Sequence, residues 1–203
     1  MIFSDESDLL PTKCGRKYLR LREGQKLVEA MPIRKGSKKL LTVKVWGMVS
    51  SLGVGPLVRY NDTMDGDKYL KLLQRYLFQA YPQLENAIIM EDDPNCGLPA
   101  WIFVDDNASS HTAINVKTWK NEKGIKSLKR PSNSPDLNII ENLWAYVEDQ
   151  LYQSKEELTC EDDTWERACQ IWYNIPMTLI DILYNDLSNR ISKLKKMKGG
   201  PLA

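Results

Sequence analysis

A short, wholly apolar segment leads directly into two adjacent acidic residues, and it limits the possible folds more than any other feature. Residues Trp101 to Val104 are followed at once by Asp105 and Asp106. An uninterrupted apolar run of this length is typical of a strand buried on both faces of a parallel sheet. Helices must cover the two faces of such a sheet. The segment therefore predicts an α/β fold in which carboxylates lie at the end of a buried strand.

The remaining elements extend this prediction to the whole chain, because their apolar residues recur at the period of a strand or of a helix. We predict strands at the opening MIFSDES, at 17–21, at 41–51, at 101–104 and at 125–128. Helices are predicted over 65–81, over 114–123 and, after Pro135, over most of the C-terminal part with a break at Pro176. The order predicts a mixed central sheet of about five strands flanked by helices, in which Trp119, Trp144, Trp165 and Trp172 belong to the core.

Composition narrows the functional classes that fit this fold. The 203 residues suit one domain, and 28 Lys and Arg against 27 Asp and Glu leave a net charge of +1. Any contact with DNA must therefore come from local patches. Four cysteines without a CxxC pair, and a single histidine, argue against a zinc site. No signal peptide and no apolar run of about 18 residues is found, so we expect a soluble intracellular protein.

Two acidic residues that close different apolar strands are candidates for a metal site. Asp5 lies at the end of the first strand, and Asp106 follows the strand that ends at Val104. If these strands are parallel neighbours, the two carboxylates converge at one edge of the sheet. Carboxylates near a core need a positive partner, and a divalent cation is the strongest one. The alternative is that both are solvated turn residues.

A third acidic residue, Glu141, lies on the helix that follows PSNSPDLN. Ile140, Leu143, Trp144, Val147 and Leu151 form the apolar stripe of this helix. Glu141 lies about 100° round from that stripe, so it flanks the buried face and can reach over the edge of the sheet. The alternative is structural, since Asn138 and Glu141 have the spacing of a capping box.

Several motifs resemble the catalytic domain of Tc/mariner transposases, and together they span nearly the whole chain. They are IFSDES, VKVWGMVSSLGVGPL, VDDNASSHTA, RPSNSPDLNIIENLW and IWYNIPMTLIDIL. Asp106 and Glu141 are separated by 34 residues, the interval of the Tc-like branch of the family. The resemblance implies a ribonuclease H-like fold over residues 1–203 as one DDE-type catalytic domain. It also implies that Asp5, Asp106 and Glu141 are the catalytic, metal-holding residues, rather than Glu6 or Asp105.

The same resemblance implies the activity and the partners. A triad of this type uses Mg²⁺, with Mn²⁺ as a substitute and two ions in all, to cleave DNA strands and transfer them during cut-and-paste transposition. The implied partners are transposon ends, target DNA and a second copy of the chain in a homodimer, in the nucleus, with no membrane and no small-molecule substrate. Family members carry helix-turn-helix modules before the first acid, and these do not precede Asp5 here. The alternatives are a truncated or domesticated protein that binds DNA or protein without catalysis, and a ribonuclease H-like nuclease outside transposition.

Other residues depart from the family pattern or suggest contacts with DNA. Ile139 and Ser109 stand where the family often has proline, and Arg130 where an aromatic residue is usual. His111 matches a family histidine, which implies that it helps to order the site or touches DNA, with a packing or capping role as the alternative. Lys120, Lys123, Lys126, Lys129 and Arg130 form the basic cluster in which we expect DNA contacts. The basic runs 34–39 and 193–198 are candidates for phosphate contacts or nuclear import, or are simply solvated surface.

Overall fold

A mixed β-sheet lies between two groups of helices in a computed structural model that describes residues 1–11, 41–82, 101–128, 137–154 and 158–196. Its strands are β1 (Ile2–Leu9), β2 (Val43–Ser50), β3 (Gly53–Arg59) and β4 (Phe103–Val104). Its helices are α1 (Gly66–Ala80), α2 (Ile114–Glu122), α3 (Ile139–Gln153), α4 (Glu161–Tyr173) and α5 (Met177–Lys196).

The sheet has the strand order β3-β2-β1-β4. β1 pairs in parallel with β4, through Ile2 with Phe103 and Phe3 with Val104, and it pairs antiparallel with β2. The predicted strand at 125–128 is reduced to one parallel bridge between Phe103 and Ser127. The predicted strand at 17–21 lies outside the described residues. The α/β class and the mixed sheet with flanking helices agree with the prediction.

Alternate residues of the strands feed two separate apolar clusters, one on each face of the sheet. On one face, Phe3, Val45 and Val104 pack with residues of α3, α4 and α5. On the other face, Ile2, Trp46 and Phe103 pack with residues of α1 and α2. The period-two alternation of side chains along a strand produces this division. Trp119, Trp144 and Trp172 are buried and Trp165 is partly buried, as predicted.

Strand β3 was not predicted, because its sequence GVGPLVR holds two glycines and a proline that weaken a strand pattern. Among the described strands it lies at the edge of the sheet, where a proline can be accommodated. Helix α4 supplies partners for its backbone: the Trp172 indole donates to the Gly55 carbonyl at 2.9 Å, and the Leu57 N–H donates to the Tyr173 hydroxyl at 3.2 Å. Long-range contacts with α4 therefore compensate for a weak local signal.

The helix boundaries follow the local signals. Asp65 caps α1 by accepting from the Lys68 N–H at 2.8 Å, and the helix ends just before Tyr81 and Pro82. Gly124 after α2 has φ +65°, a conformation that glycine adopts readily. Helix α5 begins directly after Pro176.

The described cysteines, Cys160 and Cys169, are free thiols, and none of the described helices is long and apolar enough to cross a membrane.

Candidate active site

The first two predicted acids are placed by neighbouring parallel strands. β1 and β4 are hydrogen-bonded parallel neighbours, as the convergence of Asp5 and Asp106 requires. The register pairs Phe3 with Val104, and extending it by two residues puts Asp5 beside Asp106. Asp5 does not close its strand, however, because β1 continues to Leu9 and pairs Asp5 with Gly47 of β2. The expectation of a strand end at Asp5 was wrong. The pairing with β2 extends β1 beyond the apolar residues that marked it in the sequence.

Asp5 is a buried carboxylate whose neighbours are mostly acidic. Its side chain accepts hydrogen bonds from the Glu6 N–H at 2.9 Å and from the Asn138 amide at 3.1 Å. Burial, followed by the charges of Glu141, Glu6 and Asp106, raises the pKa of Asp5 from 3.8 to about 8. Both of the other predicted acids therefore lie close enough to Asp5 to oppose its ionisation.

Helix α3 brings Glu141 to this place. The residues of its predicted apolar stripe are all buried, while Glu141 in the first turn is half-buried at the side of that stripe. The capping-box alternative is not observed, since the Asn138 side chain forms no capping hydrogen bond with α3 and instead donates to Asp5. Asn138 thus connects the start of α3 to the middle of β1, and sequence spacing alone had assigned it only a local role.

Asp106 is exposed and lies just beyond β4. Its Oδ1 accepts from the Ala108 N–H at 2.8 Å and lies 2.5 Å from Nδ1 of His111. The preceding acid, Asp105, is buried and accepts from the Tyr69 hydroxyl at 3.0 Å and from the Lys120 ammonium at 2.5 Å. The two adjacent acids therefore have different surroundings, and only Asp106 is open to solvent.

His111 joins two carboxylates on different segments. Its side chain is buried, with Nε2 lying 3.0 Å from Oε1 of Glu6 and Nδ1 facing Asp106. Burial lowers the pKa of His111, but the contacts with Asp106 and Glu6 outweigh it and the pKa rises from 6.5 to about 10. The ring also packs on Tyr69, with centroids 4.1 Å apart. This placement favours ordering of the site over contact with DNA.

Sequence reasoning did not find Glu6 as part of this cluster. Glu6 is the neighbour of Asp5, and the alternation of the strand sends it toward His111 instead of toward Asn138. The SDES motif and strand alternation together indicate that Asp5 and Glu6 face different ways. Nothing in the sequence pairs Glu6 with a histidine 105 positions away.

The oxygen-rich donors around Asp5 suit a hard divalent cation such as Mg²⁺ or Mn²⁺. Oδ1 of Asn138 is buried and has no hydrogen-bond partner among the described residues, so an amide oxygen next to Asp5 is left without a donor. A cation would also relieve the repulsion that raises the pKa of Asp5. In the described ranges, no three His, Cys, Asp or Glu side chains are already grouped to hold one ion. The donor types fit, and the carboxylates influence one another without forming a closed ligand set.

The predicted basic cluster is divided by the fold. Lys120 is buried and paired with Asp105, so its expected contact with DNA was wrong. Lys123 and Lys126 are exposed, beyond the end of α2. Lys129 and Arg130 lie outside the described residues, as do the whole run 34–39 and the side chains of 193–198. The part of the cluster that the structure describes is therefore smaller than the sequence indicated.

Comparison with known families gives a match over most of the chain. Residues 1–164 match the family described as "DDE superfamily endonuclease". The Tcb1 transposase of Caenorhabditis briggsae is 32% identical over 160 residues, which are 79% of this chain and 54% of that protein. The Tcb2 transposase of the same organism is 29% identical over 202 residues, 98% of this chain and 68% of that protein. The chain thus spans about half to two thirds of the length of these relatives.

Solved structures show the same fold. A pre-cleavage Mos1 transpososome has a TM-score of 0.74 at 18% identity and covers 100% of this chain and 56% of that one. The Mos1 catalytic domain, solved with raltegravir and Mg, has a TM-score of 0.67 at 15% identity and covers 100% of this chain and 85% of that one. At these identities the likeness concerns the ribonuclease H-like fold alone.

Proposed function

Because this chain belongs to the DDE superfamily of endonucleases and has a Tc/mariner transposase catalytic domain, we propose that Asp5, Asp106 and Glu141 hold divalent metal ions and catalyse DNA strand cleavage and strand transfer. The main support is the environment of Asp5. Its carboxylate is buried, and both Glu141 and Asp106 act on its charge. Three acids from separate parts of the sequence thus share one electrostatic environment at the junction of β1, β4 and α3.

Each residue has a definable task in this proposal. Bound Mg²⁺ or Mn²⁺ would activate the attacking water or 3′-hydroxyl and stabilise the departing 3′-oxygen. Asp5 and Glu141 hold the ions from β1 and α3, two elements fixed by core packing. Asp106 completes the ligand set, and His111 fixes its carboxylate. Asn138 orients Asp5 through its amide hydrogen bond and contributes its unpaired oxygen nearby.

The proposal extends to the partners. Similar Mos1 structures are transpososomes or contain Mg, so duplex DNA with a transposon end, and divalent ions, are the first ligands to test. Action on target DNA, pairing of two copies and a nuclear location follow from the same proposal. Exposed Lys126 and its neighbours 129 and 130 would contact phosphates without reading sequence.

Metal binding is tested by thermal unfolding in EDTA, Mg²⁺ and Mn²⁺. The wild type should gain melting temperature on adding either ion, since a ligand that binds only the folded state stabilises it. Asp106→Asn should lose most of that gain, whereas Asp181→Asn, an exposed acid on α5, should keep it. An equal gain in Asp106→Asn would remove Asp106 from the site. A wild type that shows no gain would support the non-catalytic alternative.

Catalysis is tested with supercoiled plasmid DNA in Mn²⁺. Glu141→Gln keeps the shape of the side chain, so stability should change little while nicking falls about 10³-fold, equivalent to about 4 kcal/mol of transition-state stabilisation. Glu166→Gln on α4 is the matched control and should nick like the wild type. Retained nicking in Glu141→Gln would show that Glu141 is not catalytic.

A further inference from the structure

A buried lysine lies beneath the candidate site and is not used in the proposed chemistry. Lys120, in the last turn of α2, is only 6% exposed. Its ammonium lies 2.5 Å from Oδ2 of Asp105, 4.7 Å from the ring centroid of Phe103 and 5.7 Å from that of Tyr69. Lysine is almost never buried to this degree without a partner, and here the partner is Asp105.

Asp105 is held by two donors on the same oxygen. Oδ2 receives both the Lys120 ammonium and the Tyr69 hydroxyl, the latter at 3.0 Å. Both donors come from the helical layer of α1 and α2, the face toward which strand alternation already turns Asp105, and they hold the carboxylate there, away from α3 and Glu141. Asp105 is nevertheless close to the site, because its charge helps to raise the pKa of His111 after the larger effects of burial, Asp106 and Glu6.

Two adjacent carboxylates therefore follow β4, and only one of them is available. Without Lys120, Asp105 would be a buried anion with one hydroxyl partner, an unfavourable state in a low-dielectric surrounding. A nearby divalent cation would then be its best alternative partner. Removing Lys120 should thus free a second carboxylate next to the candidate site, where it can compete with Asp106 for the cation.

We propose that Lys120 is a positioning residue that withholds Asp105 from the candidate metal site, so that Asp106 alone serves as the acid at this end of β4. The inference rests on the proposed function and concerns how the ligand set is selected. Replacing a buried ion pair with neutral residues often leaves the free energy of unfolding unchanged. Stability alone therefore does not explain the Lys120–Asp105 pair. Its loss should be visible in metal preference and not only in folding.

The test compares Lys120→Met, the double variant Lys120→Met with Asp105→Asn, and the control Lys117→Met. Lys117 is exposed on the same helix. For each protein, the melting temperature is measured in EDTA, Mg²⁺ and Ca²⁺, and plasmid nicking in Mn²⁺ is measured well below every melting temperature. Ca²⁺ is informative because it accepts 6–8 oxygen ligands and benefits from an added carboxylate more than Mg²⁺ does.

Lys120→Met should melt lower in EDTA, gain more from Ca²⁺ relative to Mg²⁺ than the wild type does, and nick about 10-fold more slowly. The double variant, in which the competing carboxylate is gone, should return to the wild-type ratio of the two metal shifts and recover nicking. The control should match the wild type throughout. If Lys120→Met does not fold, Lys120→Gln replaces it; because Gln removes the charge but keeps a hydrogen-bond donor for Asp105, it should shift the metal ratio and the nicking rate in the same directions by smaller amounts, and both should return to wild type in Lys120→Gln with Asp105→Asn.

Two results would overturn the inference while leaving the proposed function intact. One is a Lys120→Met protein that differs from the wild type only in its melting temperature in EDTA. The other is a double variant that nicks as slowly as the single variant. If the wild type neither nicks nor responds to metal, the proposed function fails. In that case, a Ca²⁺ shift that appears in Lys120→Met and vanishes in the double variant would still support the withholding of Asp105. The absence of this shift would overturn the inference as well.

Discussion

Replacing Gly47 with alanine should disturb the candidate site through two buried tryptophans. Gly47 pairs with Asp5 across β1 and β2. A Cβ atom at this position would lie 2.8 Å from Cη2 of Trp144 and 3.2 Å from Cζ2 of Trp172, whose rings stack with centroids 4.8 Å apart. Trp144 lies on α3, three residues after Glu141. The missing side chain at 47 therefore sets how closely α3 approaches the strand that holds Asp5.

The size of the effect follows from these distances. Ordinary carbon contacts begin at 3.4 Å, so the Trp144 ring must retreat by 0.6 Å from the 2.8 Å contact, and its fully buried surroundings leave α3 as the part that moves. Overpacking of this kind costs about 1–3 kcal/mol. In a domain of this size each kcal/mol lowers the melting temperature by about 2–4 °C. Since a displacement of about 1 Å can reduce a rate about 100-fold, we expect nicking to fall about 10- to 100-fold.

The assay pairs thermal unfolding with metal-dependent plasmid nicking well below the melting temperature. Gly47→Ala combined with Trp144→Phe removes the Cη2 atom that clashes, so part of the nicking should return although the core remains weakened. Gly55→Ala is the matched control, because its Cβ would press on Tyr81 at 3.0 Å and Met48 at 3.2 Å, away from Glu141. It should lose stability but keep nicking. Wild-type nicking in a destabilised Gly47→Ala protein would refute the argument.

Two further predictions concern proton linkage and DNA binding. Without metal, the free energy of unfolding should fall as pH rises from about 4 to 8, because folded Asp5 keeps its proton up to a pKa of about 8 whereas its ordinary value is 3.8. Denaturant titrations of Asp5→Asn should lack this fall and keep the decline from about pH 6.5 to 10 that His111 contributes. An unchanged profile would contradict the assignment. Replacing Lys126, Lys129 and Arg130 by alanine should reduce the slope of log affinity against log salt for random duplex DNA by up to about three, and an unchanged slope would exclude them as phosphate contacts.

Local pattern was a reliable guide where an element's own residues carry its stability. Helix α1 was predicted over 65–81 and occupies Gly66–Ala80, and the apolar stripe of α3 is buried as its spacing indicated. Both helices combine strong periodicity with clear boundary residues. Strand β3 gave no such signal, and its place depends on β2 and on hydrogen bonds from α4. Element type was therefore predictable wherever the signal was local.

The candidate site divides in the same way. The three acids and the neighbouring histidine were found from motifs and spacing, and their identification as a metal site stays a prediction. The contacts of these residues were not predictable. They join Glu6 to His111, Asn138 to Asp5 and Lys120 to Asp105, which are 105, 133 and 15 residues apart in the sequence. Lys120 was even assigned to the cluster expected to contact DNA, because charge in a sequence does not reveal burial.

By itself, the sequence determined the α/β class, the helical faces and the acids available for chemistry, since periodicity and residue type act over a few neighbouring positions. Only the tertiary structure decided which acids share an environment and which are neutralised. The parallel pairing of β1 with β4 sets Asp5 beside Asp106, and the packing of α2 under β4 pairs Asp105 with Lys120. The physical reason is that the charge state of a carboxylate depends on burial and on charges within a few ångströms, and these distances exist only once the chain has folded.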